Sequence, residues 1–269
     1  MKDGWHIGYV DLTGGGGLLG QVEGRNTASV SAWIDAQDAS WRAEVKTVAI
    51  DMCTVFKAAV RESLPTATLV VDRFHVVQLA NDAVTEVRRR VTLQQRGRRG
   101  RKGNREWELR NRLTRSAARM YATHLDAMVD DLNKLQKIGQ PILAAWNCKE
   151  DLMDLLALHG RDANRVQISR ALIRFYESAA ACALPEIERL ATTVSTWWPE
   201  IPAGITTGIT NAASEGINRA IKTDARCAYG YHNPANQRLR ARAATTRRAR
   251  GHLTIHTSGP HSQQRHPKT

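Results

Sequence analysis

The spacing of apolar positions changes several times along this chain, and each change marks an element. Residues 6–12 (His6-Ile7-Gly8-Tyr9-Val10-Asp11-Leu12) and 18–23 read as two strands joined by Thr13 and the glycines Gly14 to Gly17. Glycine accepts turn geometries closed to other residues, so this run predicts a hairpin loop. A phosphate-cradling loop would need a following Gly-Lys-Ser/Thr, which the sequence lacks. Between residues 27 and 45, Val30, Trp33, Ile34 and Trp41 recur at roughly helical spacing. Thr47-Val48-Ala49-Ile50-Asp51-Met52 is a short apolar run that delivers a carboxylate at its end, and Thr68 to Asp72 repeats that pattern. The intervening Thr54 to Ser63 suits a helix stopped before Pro65. Beyond it, Phe74, Val77, Val84, Val87 and Val91 predict one face of a long helix. A strand–helix–strand unit with so short a crossover implies parallel strands, whose C-terminal ends share one sheet edge. Asp51 and Asp72 are therefore expected close together, at the edge where open α/β sheets bind ligands.

The composition shifts at Arg88. Helical patterns run from about Glu106 to Thr196, with breaks expected near Gly139, Gly160 and Pro185, and strand signals almost vanish. Trp197-Trp198-Pro199 ends this region, and Asn211 to Lys222 reads as a short helix with Ile217, Ala220 and Ile221 on its apolar face. The fold class this predicts is α/β, interrupted by a large all-helical insertion. The expected parts are residues 1–90 as the first part of the core, 91–200 as a basic loop with the insertion, 201–250 as a last core helix with a basic segment, and 251–269 as a disordered tail.

The chain has 269 residues, 42% of them hydrophobic, which is enough to bury a core. Its formal charge is +13, from 39 Lys and Arg against 26 Asp and Glu, and no acid follows Asp224. Such an excess favours polyanions. No apolar run approaches the roughly 18 residues of a spanning helix, so no membrane partner is expected. The N-terminus lacks a charged-then-apolar signal pattern, which predicts a cytoplasmic protein. Cys53, Cys148, Cys182 and Cys227 show no metal spacing and are expected as reduced, mostly buried thiols.

Arg88, Arg89, Arg90, Arg96, Arg98, Arg99, Arg101 and Lys102 cluster around Gly97, Gly100 and Gly103. This stretch predicts a loop that tracks DNA phosphates without reading bases; a solvated charged helix end is the plainer alternative. Arg238, Arg240, Arg242, Arg247, Arg248 and Arg250 form a second basic block. Trp107, Trp146, Trp197 and Trp198 suit the core better than base stacking, and His252, His256, His261 and His266 suit a disordered tail better than a metal site.

Three acids carry the candidate chemistry. Asp51 at a strand end is well placed to hold Mg²⁺, but it equally suits an N-cap for the 54–63 helix or a plain loop carboxylate. Glu215 lies in the first turn of its helix with Asn218, Arg219 and Lys222 three, four and seven residues on. One acid, one amide and two bases on a face fit metal and phosphate together, as they also fit ordinary dipole and surface charges. Asp72 and His75 sit at a strand-to-helix junction, where Asp72 suits a cap and His75 either packing or a supporting role in the site.

Several segments together resemble one family in order and spacing. They are Ile50-Asp51-Met52, then Val71-Asp72-Arg73-Phe74-His75-Val76-Val77-Gln78-Leu79-Ala80-Asn81, then the basic run from Arg96 to Gly103, then Thr207 to Asn218, and finally Tyr229-Gly230-Tyr231-His232-Asn233. These resemble the DDE transposases of bacterial insertion sequences, in the ISL-three type, from about Trp5 to His252. The resemblance implies an RNase H-like mixed-sheet core and Mg²⁺-dependent DNA strand cleavage and transfer. It implies two Mg²⁺ ions held by Asp51 as second catalytic acid and Glu215 as third, and transposon-end and target DNA as partners within a homo-oligomeric complex. The first acid of the family lies in a Gly-Ile-Asp-Glu-like segment that neither Asp3 nor Asp11 matches. The expectation is therefore an N-terminally truncated copy with an incomplete acidic set and very low activity; a start codon assigned too far downstream gives the same pattern. A non-catalytic nucleic-acid-binding remnant on the same scaffold is the alternative, and an RNase H-like nuclease of another kind is a third.

Overall fold

The computed structural model describes residues 6–12, 17–228 and 233–249. In chain order the elements are β1 (His6–Val10), β2 (Leu18–Glu23), α1 (Thr27–Asp35), α2 (Ala39–Glu44), β3 (Thr47–Ile50), α3 (Thr54–Ser63), β4 (Thr68–Val71) and α4 (Arg73–Arg96). There follow α5 (Arg105–Glu108), α6 (Arg110–Leu113), a 3₁₀ turn at Ala117–Arg119, α7 (Ala122–Lys134), α8 (Gly139–Leu156), α9 (Arg165–Cys182) and α10 (Pro185–Thr196). The last elements are α11 (Glu200–Thr207), α12 (Ala212–Cys227) and α13 (Pro234–Ala249). The chain divides into two compact units, Met1–Trp33 with Asn211–Thr269, and Ile34–Thr210.

In the smaller unit β1 and β2 pair antiparallel, His6 opposite Glu23, with a register shift between Tyr9 and Val10. The Tyr9 ring stacks on Trp33 at 3.8 Å between centroids, and its hydroxyl donates to the Val30 carbonyl at 3.0 Å. Burial pushes the Tyr9 phenol up to about 12. The indole also covers Gly20, where a Cβ would come within 2.4 Å of Nε1. Only glycine leaves room for that ring. In the same unit, α13 packs against β2 and α12.

In the larger unit β3 and β4 pair in parallel, Thr47 beside Thr68 and Ile50 beside Val71, with α3 as the expected crossover. Among the described residues the strands thus form two two-stranded sheets. Val70 is fully buried and α11 lies against β4. A Cβ on Gly204 of α11 would meet the Val71 carbonyl at 3.1 Å, so a small residue sets how closely that helix approaches the strand. α4 reaches back to α8 and α10, and α8 packs on α7 and α9 around Met128, Leu132, Ile142, Leu152, Leu155 and Phe175.

The expected helix breaks at Gly139, Gly160 and Pro185 are all observed. A Cβ on Gly139 would fall 1.7 Å from the Leu132 carbonyl, Gly160 takes a left-handed φ of 68°, and Pro185 opens α10 where no N–H partner is needed. Three expectations are corrected. The helical pattern of 27–45 is two helices, interrupted at residues 36–38. The buried face of α4 runs through Val76, Ala80, Ala83, Val84, Val87 and Val91, while Phe74 is 54% exposed. Val76, in the same first turn, is 1% exposed; Phe74 lies about 200° around the helix from it and so faces away from the buried stripe. The basic stretch from Arg88 is helix, not loop, as far as Arg96, because the buried stripe continues through Thr92; the loop starts at Gly97, whose φ of 66° caps α4. The four thiols are free as expected, but only Cys148 is buried. The hairpin glycines Gly14 to Gly16, the Tyr229-Gly230-Tyr231-His232 segment, Arg250 and the histidine-bearing tail lie outside the described residues.

Candidate active site

Parallel register carries Asp51 and Asp72 to one edge of the β3–β4 sheet, since each follows its strand by one residue and the last paired residues are Ile50 and Val71. The Asp72 N–H donates to the Ile50 carbonyl at 3.3 Å, extending the ladder by one step. The two carboxylates then face different surroundings. Asp72 is buried and caps α4, accepting from the Phe74 N–H at 3.3 Å. Asp51 is 46% exposed at its side chain. It does not cap α3, whose N-cap is Cys53 without a side-chain bond.

His75 joins the two. Its Nε2 lies 3.4 Å from Asp51 Oδ1, and its Nδ1 lies 3.8 Å from Asp72 Oδ2. The first is a long hydrogen-bond distance and the second an electrostatic contact. The imidazole thus lies between a buried acid and one that is open to solvent.

Glu215 lies in the first turn of α12, in the smaller unit. Its N–H donates to the Asn211 carbonyl at 3.1 Å. Glu215, Asn218, Arg219 and Lys222 are all exposed, whereas Ile217, Ala220 and Ile221 are half-buried, as the apolar spacing predicts. Asp51 in the larger unit and Glu215 in the smaller each present a hard carboxylate, the ligand type that Mg²⁺ takes. Among the described residues no group of three His, Cys, Asp or Glu side chains is placed to hold a metal ion.

The structure splits the basic stretch. Arg88 is buried, and burial, with Arg89 and Arg110 nearby, lowers its guanidinium below the ordinary value. Arg90 grips Glu186 through two bonds of 2.6 and 2.9 Å, and Arg96 grips Glu106 through two of 2.7 and 3.0 Å. Those hydrogen bonds hold both arginines more firmly protonated than usual. Arg98 donates to Asn104 Oδ1 at 3.1 Å. Arg89, Arg99, Arg101 and Lys102 are exposed. Trp146 and Trp197 are core, as expected; Trp107 and Trp198 are half-buried, and the Arg110 guanidinium lies 3.7 Å over the Trp107 ring.

Sequence reasoning did not find the other acids of the larger unit. Glu200 is 1% exposed and receives Lys57 at 2.8 Å and Arg61 at 2.6 Å. The available signal was Lys57 and Arg61 at i and i+4 on α3, two cations on one helix face that can converge on a single acid.

A model of the ISL3 family, described as transposase, matches residues 2–241. The chain belongs to this family of insertion-sequence transposases. It is 29% identical over 232 residues to the transposase of insertion sequence IS1001 from Bordetella parapertussis, covering 84% of this chain and 54% of that one. It is 26% identical over 237 residues to the transposase of IS1557 from Mycobacterium tuberculosis, covering 81% of this chain and 52% of that one. The chain spans about half the length of these curated relatives. No solved structure matches it significantly. No described helix is long and apolar enough to cross a membrane.

Proposed function

We propose that this chain carries catalytic parts of a DDE transposase, acting on DNA phosphodiesters with Asp51 and Glu215 as acidic residues in an RNase H-like core. The observation that carries this reading is the Asp51–His75–Asp72 arrangement: a half-exposed carboxylate at a parallel-strand end, braced by an imidazole that a buried acid faces. Glu106, Glu186 and Glu200 in the same unit are buried against arginine or lysine, whereas the Asp51 side chain is 46% exposed.

On this reading each group has a role. Asp72 holds His75, and His75 holds Asp51 in position. Glu215 supplies a second carboxylate, with Asn218, Arg219 and Lys222 beside it to donate to phosphate oxygens. Asp51 and Glu215 would each offer a carboxylate to Mg²⁺, which would supply an acidified water and charge neutralisation at the phosphate. Arg89, Arg99, Arg101 and Lys102 follow the DNA backbone, and the helices between α5 and α10 form the insertion that carries this loop. Transposon ends and target DNA are the substrates, handled by an oligomer of the protein.

The test uses the purified chain and supercoiled DNA bearing the genomic flanks of its coding sequence. Mg²⁺-dependent strand cleavage that Asp51→Asn and Glu215→Gln each abolish supports the reading. Fe²⁺ in place of Mg²⁺, with ascorbate, is expected to cut the polypeptide beside Asp51 independently of DNA cleavage. Cleavage unchanged by Asp51→Asn overturns the assignment. DNA binding with neither cleavage nor iron-directed scission supports a non-catalytic DNA-binding remnant instead.

A further inference from the structure

Phe74 is out of place for a packing residue. More than half of it faces solvent, although it lies two residues beyond buried Asp72 and one before His75. Its ring stands edge-on to the imidazole, 88° between planes and 6.2 Å between centroids. The same imidazole reaches Asp51 at 3.4 Å. Phe74 thus borders the one braced, solvent-open carboxylate of the sheet edge. Its backbone is fixed, because its N–H is the donor in the Asp72 cap. Arg73, the preceding residue, is exposed as well.

A large flat apolar ring on an anchored backbone beside a candidate phosphodiester site offers what a nucleobase needs: a face to stack on. Base–aromatic stacking is tolerant of sequence because every base has such a face. Inside an intact duplex, neighbouring pairs already cover both faces of each base. Only a base at a nick, at a strand end or turned out of the helix has one to offer. Strand cleavage creates such bases at the phosphate being cut.

We propose that Phe74 is a stacking platform for an unpaired or strand-terminal DNA base adjoining the phosphodiester handled at Asp51, with Arg73 on the neighbouring phosphate. This rests on the transposase reading above and adds to it a contact that recognises the state of the DNA rather than its sequence.

The test uses the full chain with two probes, a nicked DNA duplex carrying 5-iodouracil at the nick and the same duplex sealed. Irradiation of the nicked complex is expected to cross-link the DNA to Phe74, located by peptide mass spectrometry. Phe74→Ala is expected to weaken binding of nicked duplex about fivefold or more and leave binding of sealed duplex unchanged, while Phe74→Tyr restores it. Asp51→Asn is expected to keep the cross-link. Phe74→Ala that binds nicked DNA as the unaltered chain does overturns the inference. So does equal weakening on both probes, or a lowered melting temperature as the sole effect. Failure of the transposase reading has a different signature: cleavage insensitive to Asp51→Asn, whatever Phe74 does.

Discussion

The β3–β4 sheet has an acid at each end, and the two are treated in opposite ways. Beside the start of β4, Glu200 is almost wholly buried and takes both Lys57 and Arg61 onto one oxygen. At the other end, the Asp51 side chain is 46% exposed, with the His75 imidazole 3.4 Å from its Oδ1. A carboxylate that has surrendered its hydration to two fixed cations is a structural fastening. It cannot take up another cation without releasing those it has. A carboxylate half open to solvent can exchange water for a ligand. The same side-chain chemistry is thus buried at one end of four-residue strands and solvent-facing at the other.

The contrast can be broken most directly at Asp51. Asp51→Asn is expected to reduce any Mg²⁺-dependent DNA cleavage by about a thousandfold or more and leave the melting temperature within experimental scatter. Cleavage and thermal denaturation measured on the same preparation decide it. Glu200→Gln should do the reverse. It leaves two cations without their acid, and since Arg61 is largely exposed and can rehydrate, the cost is about 2 kcal/mol rather than the larger values of fully buried pairs. Urea titration reads that loss, with DNA binding unchanged.

A smaller effect is expected at Arg90. The Arg90 guanidinium holds Glu186 below its ordinary value of 4.5. A depressed acid stabilises the fold above its unfolded value and loses that contribution as pH falls through the folded one. Arg90→Gln is therefore expected to cost about 1 kcal/mol at neutral pH, with the difference from the unaltered chain shrinking steadily below the ordinary carboxylate range. Denaturant midpoints across pH measure it. Smallest is the loop: Arg99→Ala should reduce the slope of log affinity against log salt by about one phosphate contact, while Arg90→Gln, whose cation already faces Glu186, should leave that slope unchanged.

The sheet edge was legible because two β-branched runs end in Asp and the crossover between them is short; parallel pairing then follows and aligns Asp51 with Asp72. His75 was legible from its place in the first turn after a capping acid. The breaks at Gly139 and Pro185 were visible because glycine disfavours a helix interior and proline fixes its own φ and lacks an N–H. What stayed hidden depends on partners distant in sequence. Arg90 and Arg96 look like surface charge until Glu186 and Glu106 fold against them. Phe74 and Val77 fit a helical stripe by spacing, but the face that packs is centred on Val76, Ala80 and Val87, which spacing alone does not decide. Glu215 was read correctly as a first-turn acid of a helix, and it falls in the smaller unit while Asp51 falls in the larger.

The end of α8 also bears on how the larger unit responds to traction. The Gly160 N–H donates to the Ile205 carbonyl at 3.2 Å, and His159 Nε2 lies 3.3 Å from the Ile209 carbonyl, a contact that requires the proton on Nε2. Force applied to the chain beyond Thr210 meets these bonds one at a time, Ile209 first and Ile205 second, before it loads the contact of Gly204 with β4. Bonds broken in sequence yield at low tension. Ile201 and Ile205 are each 3% exposed, so α11 stays seated on β4 and only the short segment after Thr207 pays out, at about 3.5 Å per residue.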